Sequence, residues 1–542
     1  MSASMSASPS ASVASREFDA VIVGAGHNAL ALAAHLSAKG WSVGVFERNA
    51  VAGGAIRTEE ATLPGYRHDL AAMNLSLFAG SPFHRTYGEE LAGHGLAYAP
   101  VSNAFATAFP DGRWMGVCND LDRTAGWIET FSAKDAVRWR AMVAEFGEDA
   151  PTIFEVLGSP MTARALSRIA WRTWRQKGLR WSLDTIKLLL SSPREFLDAN
   201  FESEHVKTAL APWALHLDFP PDAAGGALFP YLEAMANQSF GMVIGQGGAD
   251  TVAKALVAMV VARGGTVETG AEVASVMREG GRATGIVLAD GARIGAKRAV
   301  VAGVTPSGMS RLLGEASGNA AYDEGLKAFR HGPGTMMIHI AADALPDWSA
   351  GAELREFAYV HLAPSMAAMS AAYSEAKAGL LPLEPVLVVG QPTAMDPTRA
   401  PDGKHVLWVQ VRVVPPSPTG DAAGEIAIPD GGTDWDAIRE AYADRCMAII
   451  ERYAPGFGSH VLARHVASPT DLEAMNPNLV GGDSLGGSHH LSQNFFLRPL
   501  PGWSRYRTPV KGLYHVGAST WPGAGVGAGS GFILGKMLAG DP

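Results

Sequence analysis

The chain has 542 residues, 47% of them hydrophobic and 18% charged, enough to bury more than one core and about right for two or three domains. Its net charge of -9 argues against general nucleic-acid binding. Cys118 and Cys446 are the two cysteines, and their separation excludes a C-x-x-C pair; dithiol–disulfide chemistry and a cysteine metal site go with it, so no metal is expected.

Residues 1–16 are dominated by Ser and Ala and lack the apolar run of a secretory signal, so they read as a disordered leader. No stretch reaches the ~18 apolar residues of a membrane span, and the expected location is cytoplasmic. The first chemistry follows at once. Ala20-Val21-Ile22-Val23 reads as a buried strand, Gly24-Ala25-Gly26-His27-Asn28-Ala29 as a turn, and Leu30 to Lys39 as a helix stopped by Gly40. A second strand, Trp41 to Phe46, ends on Glu47. This is a βαβ unit with the G-x-G-x-x-G/A fingerprint and an acid about twenty residues further on. Gly24 permits the tight turn, Gly26 lets backbone approach a pyrophosphate, and Ala29 lets helix lie on strand. The helix N-terminus offers free N–H groups to phosphate, and Glu47 accepts from ribose hydroxyls. A plain glycine-rich turn is the alternative, weakened because strand, helix and acid are all in place. Arg48 and the pair Gly53-Gly54 come next. The pair resembles the flavoprotein motif that brings a second backbone stretch to the dinucleotide, and it favours FAD over NAD.

The loop from Thr62 to Phe83 carries His68, either near the flavin or simply packed. Leu96–Val101 and Phe105–Val117 read as strands, the second broken at Asp111-Gly112. Residues 133–200 are helical in pattern. Within 161–190, Arg164, Arg168, Arg172, Arg175, Lys177, Arg180 and Lys187 mingle with Trp171, Trp174 and Trp181 against Asp184 alone. Peripheral contact with an anionic membrane is one reading, and a solvated helix whose Arg stems cover apolar surface is the slightly favoured one. Phe229, Tyr231 and Phe240 line a pocket or belong to a core. Gly245-Gln246-Gly247-Gly248 precedes a helix from Ala249 to Arg263, and strands follow at 266–269, 272–277, 285–288 and 298–302, with the backbone near Val273 placed at an adenine. Thr335–Ala341, Val386–Val389 and Val406–Val414 read as strands and Asp434–Tyr453 as an amphipathic helix. Last, Gly512 to Ala518 is a strand ending in a Gly-Ala turn, and the glycine-rich run Trp521 to Gly527 opens a helix to Leu538. There Gly517, Ala518, Gly525 and Val526 bring backbone close to a flavin ring.

The two ends of the chain and the block 245–305 resemble the phytoene desaturase-like flavoproteins, relatives of the amine oxidases. Asn476-Pro477-Asn478, Gly481-Gly482-Asp483, Gln493-Asn494-Phe495, Arg498-Pro499 and Tyr506-Arg507-Thr508-Pro509 resemble the branch called pyridine nucleotide-disulfide oxidoreductase domain-containing protein 2. Where relatives often have Thr-His-Pro-Gly-Gly-Gly, this chain has Thr520-Trp521-Pro522-Gly523-Ala524-Gly525. The resemblance implies an α/β fold: a Rossmann-type, amine oxidase-like FAD-binding domain (17–85, 239–305, 505–542) interleaved with an α+β substrate-binding domain (86–238, 306–504). It implies non-covalent FAD and removal of hydride and proton from an apolar, isoprenoid- or carotenoid-like substrate, with oxygen or quinone as acceptor. Trp521 cannot take a proton, so His489 and His490 stand as candidate bases, with His68 next. An amine oxidase, a redox-neutral isomerase and a non-catalytic flavin protein are the rival readings.

Overall fold

The computed structural model describes residues 16–314, 316–429 and 431–541. The expected leader lies outside them except for Arg16, which opens the first strand, Arg16–Val23. Two seven-stranded sheets organise the described residues, each built from segments far apart in sequence. The first runs Val273–Glu279, Arg282–Leu288, Arg293–Ala302, Arg16–Val23, Val43–Phe46 and Thr266–Glu268, with Leu513–His515 also paired to Arg293–Ala302. Its central strands are parallel. Burial on both faces is why Ala20–Val23 reads as an unbroken apolar run.

Helix His27–Ala38 is buried over nearly its whole length, between the sheet and the helices Thr251–Ala262 and Gly529–Ala539. Its small residues allow this. A Cβ on Gly531 would lie 1.8 Å from the carbonyl oxygen of Asn28, so the first and last helices meet backbone to backbone.

The second sheet runs Val461–Ala467, Gly334–Ala342, His405–Val414, Val386–Gly390, Tyr359–Leu362, Asn103–Ala108 and Trp114–Cys118. Alternation along His405–Val414 sends Leu407, Val409 and Val411 into a core with helix Trp435–Tyr453, and Trp408, Gln410 and Arg412 to the opposite face. Gly390 stands in register between Trp408 and Tyr359; lacking a side chain, it lets their rings come within 5.8 Å. Tyr359–Leu362 and Val461–Ala467 were not expected as strands: one is four residues long, and the other carries Arg464 and His465 on a sheet edge. The expected strand Leu96–Val101 shortens to Tyr98–Val101 and pairs with Met242–Gly245, outside the large sheets.

Arg399 ties the two halves together. Fully buried, it donates through Nη1 to Asp69 (2.5 Å), through Nε to Asp396 (3.2 Å) and through Nη2 to the Gly245 carbonyl (2.6 Å). Asp69 accepts from the Thr58 hydroxyl and the Ala249 N–H, both at 2.7 Å, and Asp396 accepts from the Gly247 N–H at 2.6 Å. Arg399→Met strands two buried carboxylates and should cost about 3–5 kcal/mol, read as a lowered denaturation midpoint; an unchanged midpoint would show that the cluster does not hold the halves together.

Candidate functional site

A cavity of about 930 Å³ is lined from both halves of the molecule. Gly24, Gly26, Ala29, Glu47, Arg48, Gly54, Val273, Gly517, Ala518, Gly525 and Val526 all line it. Gly53 does not. Its N–H donates to the Ala25 carbonyl at 2.9 Å, and it sits behind the wall at φ +134°.

The glycines at this wall differ in cause. Gly24 has φ +85°, a left-handed turn that favours glycine. Gly26 has φ -69°, open to any residue, and a Cβ added there would meet no protein atom within 4 Å. Neither backbone nor packing calls for glycine at that point. The free space stands at the N-terminus of helix His27–Ala38, where a phosphate would be held by N–H groups. Gly517 is likewise open around its Cα. Glu47 is buried; Oε2 accepts from the Ala25 N–H (2.8 Å) and Oε1 from the Asn49 N–H (2.9 Å), leaving lone pairs for ribose hydroxyls. Acid, free N–H groups and empty backbone cradle fit FAD.

At the other end, Arg498 is fully buried and bonds only to carbonyls, those of Gly486 (3.1 Å), Gly487 (3.3 Å), Ser488 (2.9 Å) and Ala518 (2.7 Å). Burial pushes its guanidinium down to about 10, still cationic at neutral pH. It clamps the loop 486–488 onto the Gly-Ala turn.

The histidines expected as bases have other duties. His489 lines the cavity, but its Nε2 accepts the Ala524 N–H at 3.0 Å, and burial, with Arg498 adding to it, holds the ring far below its usual range. The lone pair a base needs is committed to shaping the glycine-rich loop. His490 does not line the cavity; it bonds the Asp218 carbonyl (2.6 Å) and packs on Phe219. His68 is buried against His339, bonded to the Thr62 hydroxyl at 2.8 Å, and burial pushes it down to about 3. Phe229 and Phe240 line the cavity, whereas Tyr231 packs in the core against Phe146.

Two cavity residues lie outside every motif of the sequence. Glu233 is on helix Leu228–Phe240, whose face Phe229, Leu232, Ala236 and Phe240 also lines the cavity. Burial pushes its carboxyl up to about 7. Arg412 faces the cavity from the second sheet. Each had a signal in sequence: a single acid in an apolar helix, and polar residues at alternate positions of a core strand.

A Rossmann-type sheet whose fingerprint, ribose acid and C-terminal Gly-Ala turn meet in one cavity defines an FAD-dependent oxidoreductase. The family model for an NAD(P)-binding Rossmann-like domain matches residues 22–89. The chain is 30% identical to the Pyridine nucleotide-disulfide oxidoreductase domain-containing protein 2 of Mus musculus, over 94% of this chain and 91% of that one, and it belongs to that family. It is 26% identical to a limonene dehydrogenase polypeptide of Castellaniella defragrans (97% and 95% covered) and 24% identical to a phytoene desaturase (neurosporene-forming) of Cereibacter sphaeroides (98% and 97%). An oxidoreductase structure from Methanosarcina mazei shares the fold, with TM-score 0.59 at 20% identity over 96% and 99% of the chains. Despite the family's name, Cys118 and Cys446 are both buried and free.

Gly26→Ala should keep the fold, by circular dichroism, and lose FAD, by the flavin-to-protein absorbance ratio. Glu47→Ala should weaken FAD binding by about 1–3 kcal/mol. Full flavin content in Gly26→Ala would remove phosphate from that cradle.

Proposed function

We propose that the protein oxidises a largely apolar substrate by removing a hydride and a proton from adjacent carbons, with oxygen or quinone reoxidising the cofactor. The observation that carries this is the far wall of the cavity, where Trp213, Leu228, Phe229, Leu232 and Phe240 form an apolar chamber continuous with the dinucleotide wall. The relatives named for limonene and phytoene support an apolar substrate. FAD, when bound, supplies the hydride acceptor. The chain's own residues do the rest. Arg498 fixes the Gly517-Ala518 turn, the apolar wall excludes water, and Glu233 takes the proton. Its carboxyl is poised near neutrality, which suits a general base.

Anaerobic bleaching of the flavin by a panel of alkenes, alcohols and amines tests the reading. Amines alone reducing it would favour the amine oxidase, turnover without net hydrogen loss the isomerase, and no bleaching a non-catalytic role. With a reducing substrate, Glu233→Gln should slow reduction roughly 10²–10⁴-fold while FAD stays bound. In the unaltered protein the rate should rise with pH through about 7, as Glu233 loses its proton, and the Gln variant should lose that rise. Wild-type reduction by the variant would place the base elsewhere.

The helix Ala163–Leu190 supports peripheral contact with an anionic lipid surface. The segment bends at Gly178 (φ +81°); beyond the bend Leu179, Leu183, Ile186 and Leu190 form an exposed stripe, and before it Trp171 is 60% exposed. The segment is less cationic than its sequence suggests, because Glu155 and Asp149 of helix Ala133–Leu157 pair with Arg172 and Lys177. Arg164, Arg168, Arg175 and Lys187 carry its remaining charge, with Arg180 only loosely paired to Asp184 at 3.9 Å. Phe154 and Phe240, which line the cavity, are exposed nearby in the same helical layer. Among the described residues no helix is long and apolar enough to cross a membrane. Leu183→Ser with Ile186→Ser should abolish flotation on anionic liposomes; unchanged flotation would leave the stripe merely solvated.

A further inference from the structure

The cavity is mostly apolar, yet one patch of it is polar and does not satisfy itself. Trp408, Gln410 and Arg412 face it from strand His405–Val414, with Tyr359 two strands away and His216 on the adjoining wall. Arg412 makes one hydrogen bond among the described residues, from Nη1 to the Ser484 hydroxyl at 3.3 Å. Its Nε is buried with no acceptor there, its Nη2 donates to no described atom, and the side chain lines the cavity. The acid whose field it feels is Asp483. That carboxylate is already engaged by the N–H groups of Gly332 (3.0 Å), Leu485 (2.8 Å) and Gly487 (2.6 Å) and by His331 (3.2 Å), and it forms no ion pair with Arg412. Nor do the neighbours help: Trp408 Nε1, Gln410 Oε1 and His216 Nε2 are buried without partners among the described residues.

Arg412 is half-buried, and the two fully buried arginines are completed from within, Arg399 by two carboxylates and Arg498 by four carbonyls. A cation withdrawn from water without such partners is costly, and the cost is removed when an anion enters. Burial holds His216 neutral, and likewise His361 packed behind it, so the patch carries one positive charge. One charge on a planar fork matches a single carboxylate, in charge and in geometry, better than a dianionic phosphate.

We propose that Arg412 is the anchor for a carboxylate on the substrate, which is therefore an apolar chain bearing one carboxylate and not a pure hydrocarbon. This rests on the oxidoreductase reading of the same cavity and names its substrate class. In that arrangement the guanidinium holds the polar end while the apolar wall takes the chain, so Arg412 sets specificity and orientation without touching the proton or the hydride.

The test uses full-length, FAD-loaded protein titrated with dodecanoate, dodecanol and dodecylamine, followed by calorimetry and by perturbation of the flavin absorbance. Dodecanoate should bind at least about tenfold tighter than the other two. Arg412→Gln should raise its Kd roughly 10–100-fold and leave that of dodecanol unchanged. Arg412→Lys, which keeps the charge and loses the fork, should fall between, and it serves where the Gln variant loses FAD or melts early. The proposal is overturned if dodecanoate fails to bind the unaltered protein, binds no tighter than dodecanol, or is indifferent to the substitution at Arg412. Flavin bleaching by a hydrocarbon at the same rate in Arg412→Gln would overturn it while leaving the oxidoreductase reading standing. Arg412-dependent dodecanoate binding with no substrate able to bleach the flavin would do the reverse.

Discussion

Everything about the cavity depends on the ion cluster around Arg399. Taking a guanidinium and two carboxylates out of water is costly, and the arrangement stands only because every partner is in place: Asp69 on the loop after the fingerprint, Asp396 beside Arg399 itself, and the carbonyl of Gly245. The carboxylates pass the constraint on, to Thr58, Ala249 and Gly247. Three stretches of backbone are therefore held at one point. The dinucleotide wall and the sheet wall face each other across a gap of set width, and an apolar chamber opens beside the cofactor.

Three arginines, Arg399 and Arg498 fully buried and Arg412 half-buried at the cavity wall, mark three degrees of completion. Arg399 has carboxylates and acts as a structural pin. Arg498 has carbonyls as its partners; it remains charged and draws the loop 486–488 and the Ala518 carbonyl together, which shapes the wall without adding a negative charge to it. Arg412 has a single long bond to a hydroxyl. The less of the cation's demand the protein meets, the more is left for a bound molecule.

The glycines divide in the same way. Gly531 is required by packing, since a Cβ would strike the backbone of Asn28, and Gly53 would strike the carbonyl of Ile56 at 2.8 Å. Gly26 has free space and an ordinary φ. A glycine that the protein itself does not need points to a group that does, and this one lies where the fingerprint places a pyrophosphate.

The dinucleotide half was legible because backbone recognition of phosphate needs consecutive residues: a strand, a tight turn and a helix N-terminus within 24–29, then an acid at 47. The Gly-Ala turn at 517–518 is equally local. The rest of the cavity was not, because its groups are set by partners far away in sequence. Asp69 and Arg399 stand 330 positions apart. His489 has the composition of a base, but the Ala524 N–H occupies its lone pair, and the acids that quiet the basic helix come from the helix before it. Glu233 and Arg412 gain their character from burial and from the partners they lack, and neither quantity exists along a chain. Sequence by itself determined that this protein holds FAD and where its phosphate-binding backbone lies, because that chemistry is contiguous. Only the tertiary structure decided which charged side chains face the cavity, because desolvation and the distance to a counter-charge arise when the two halves close on each other.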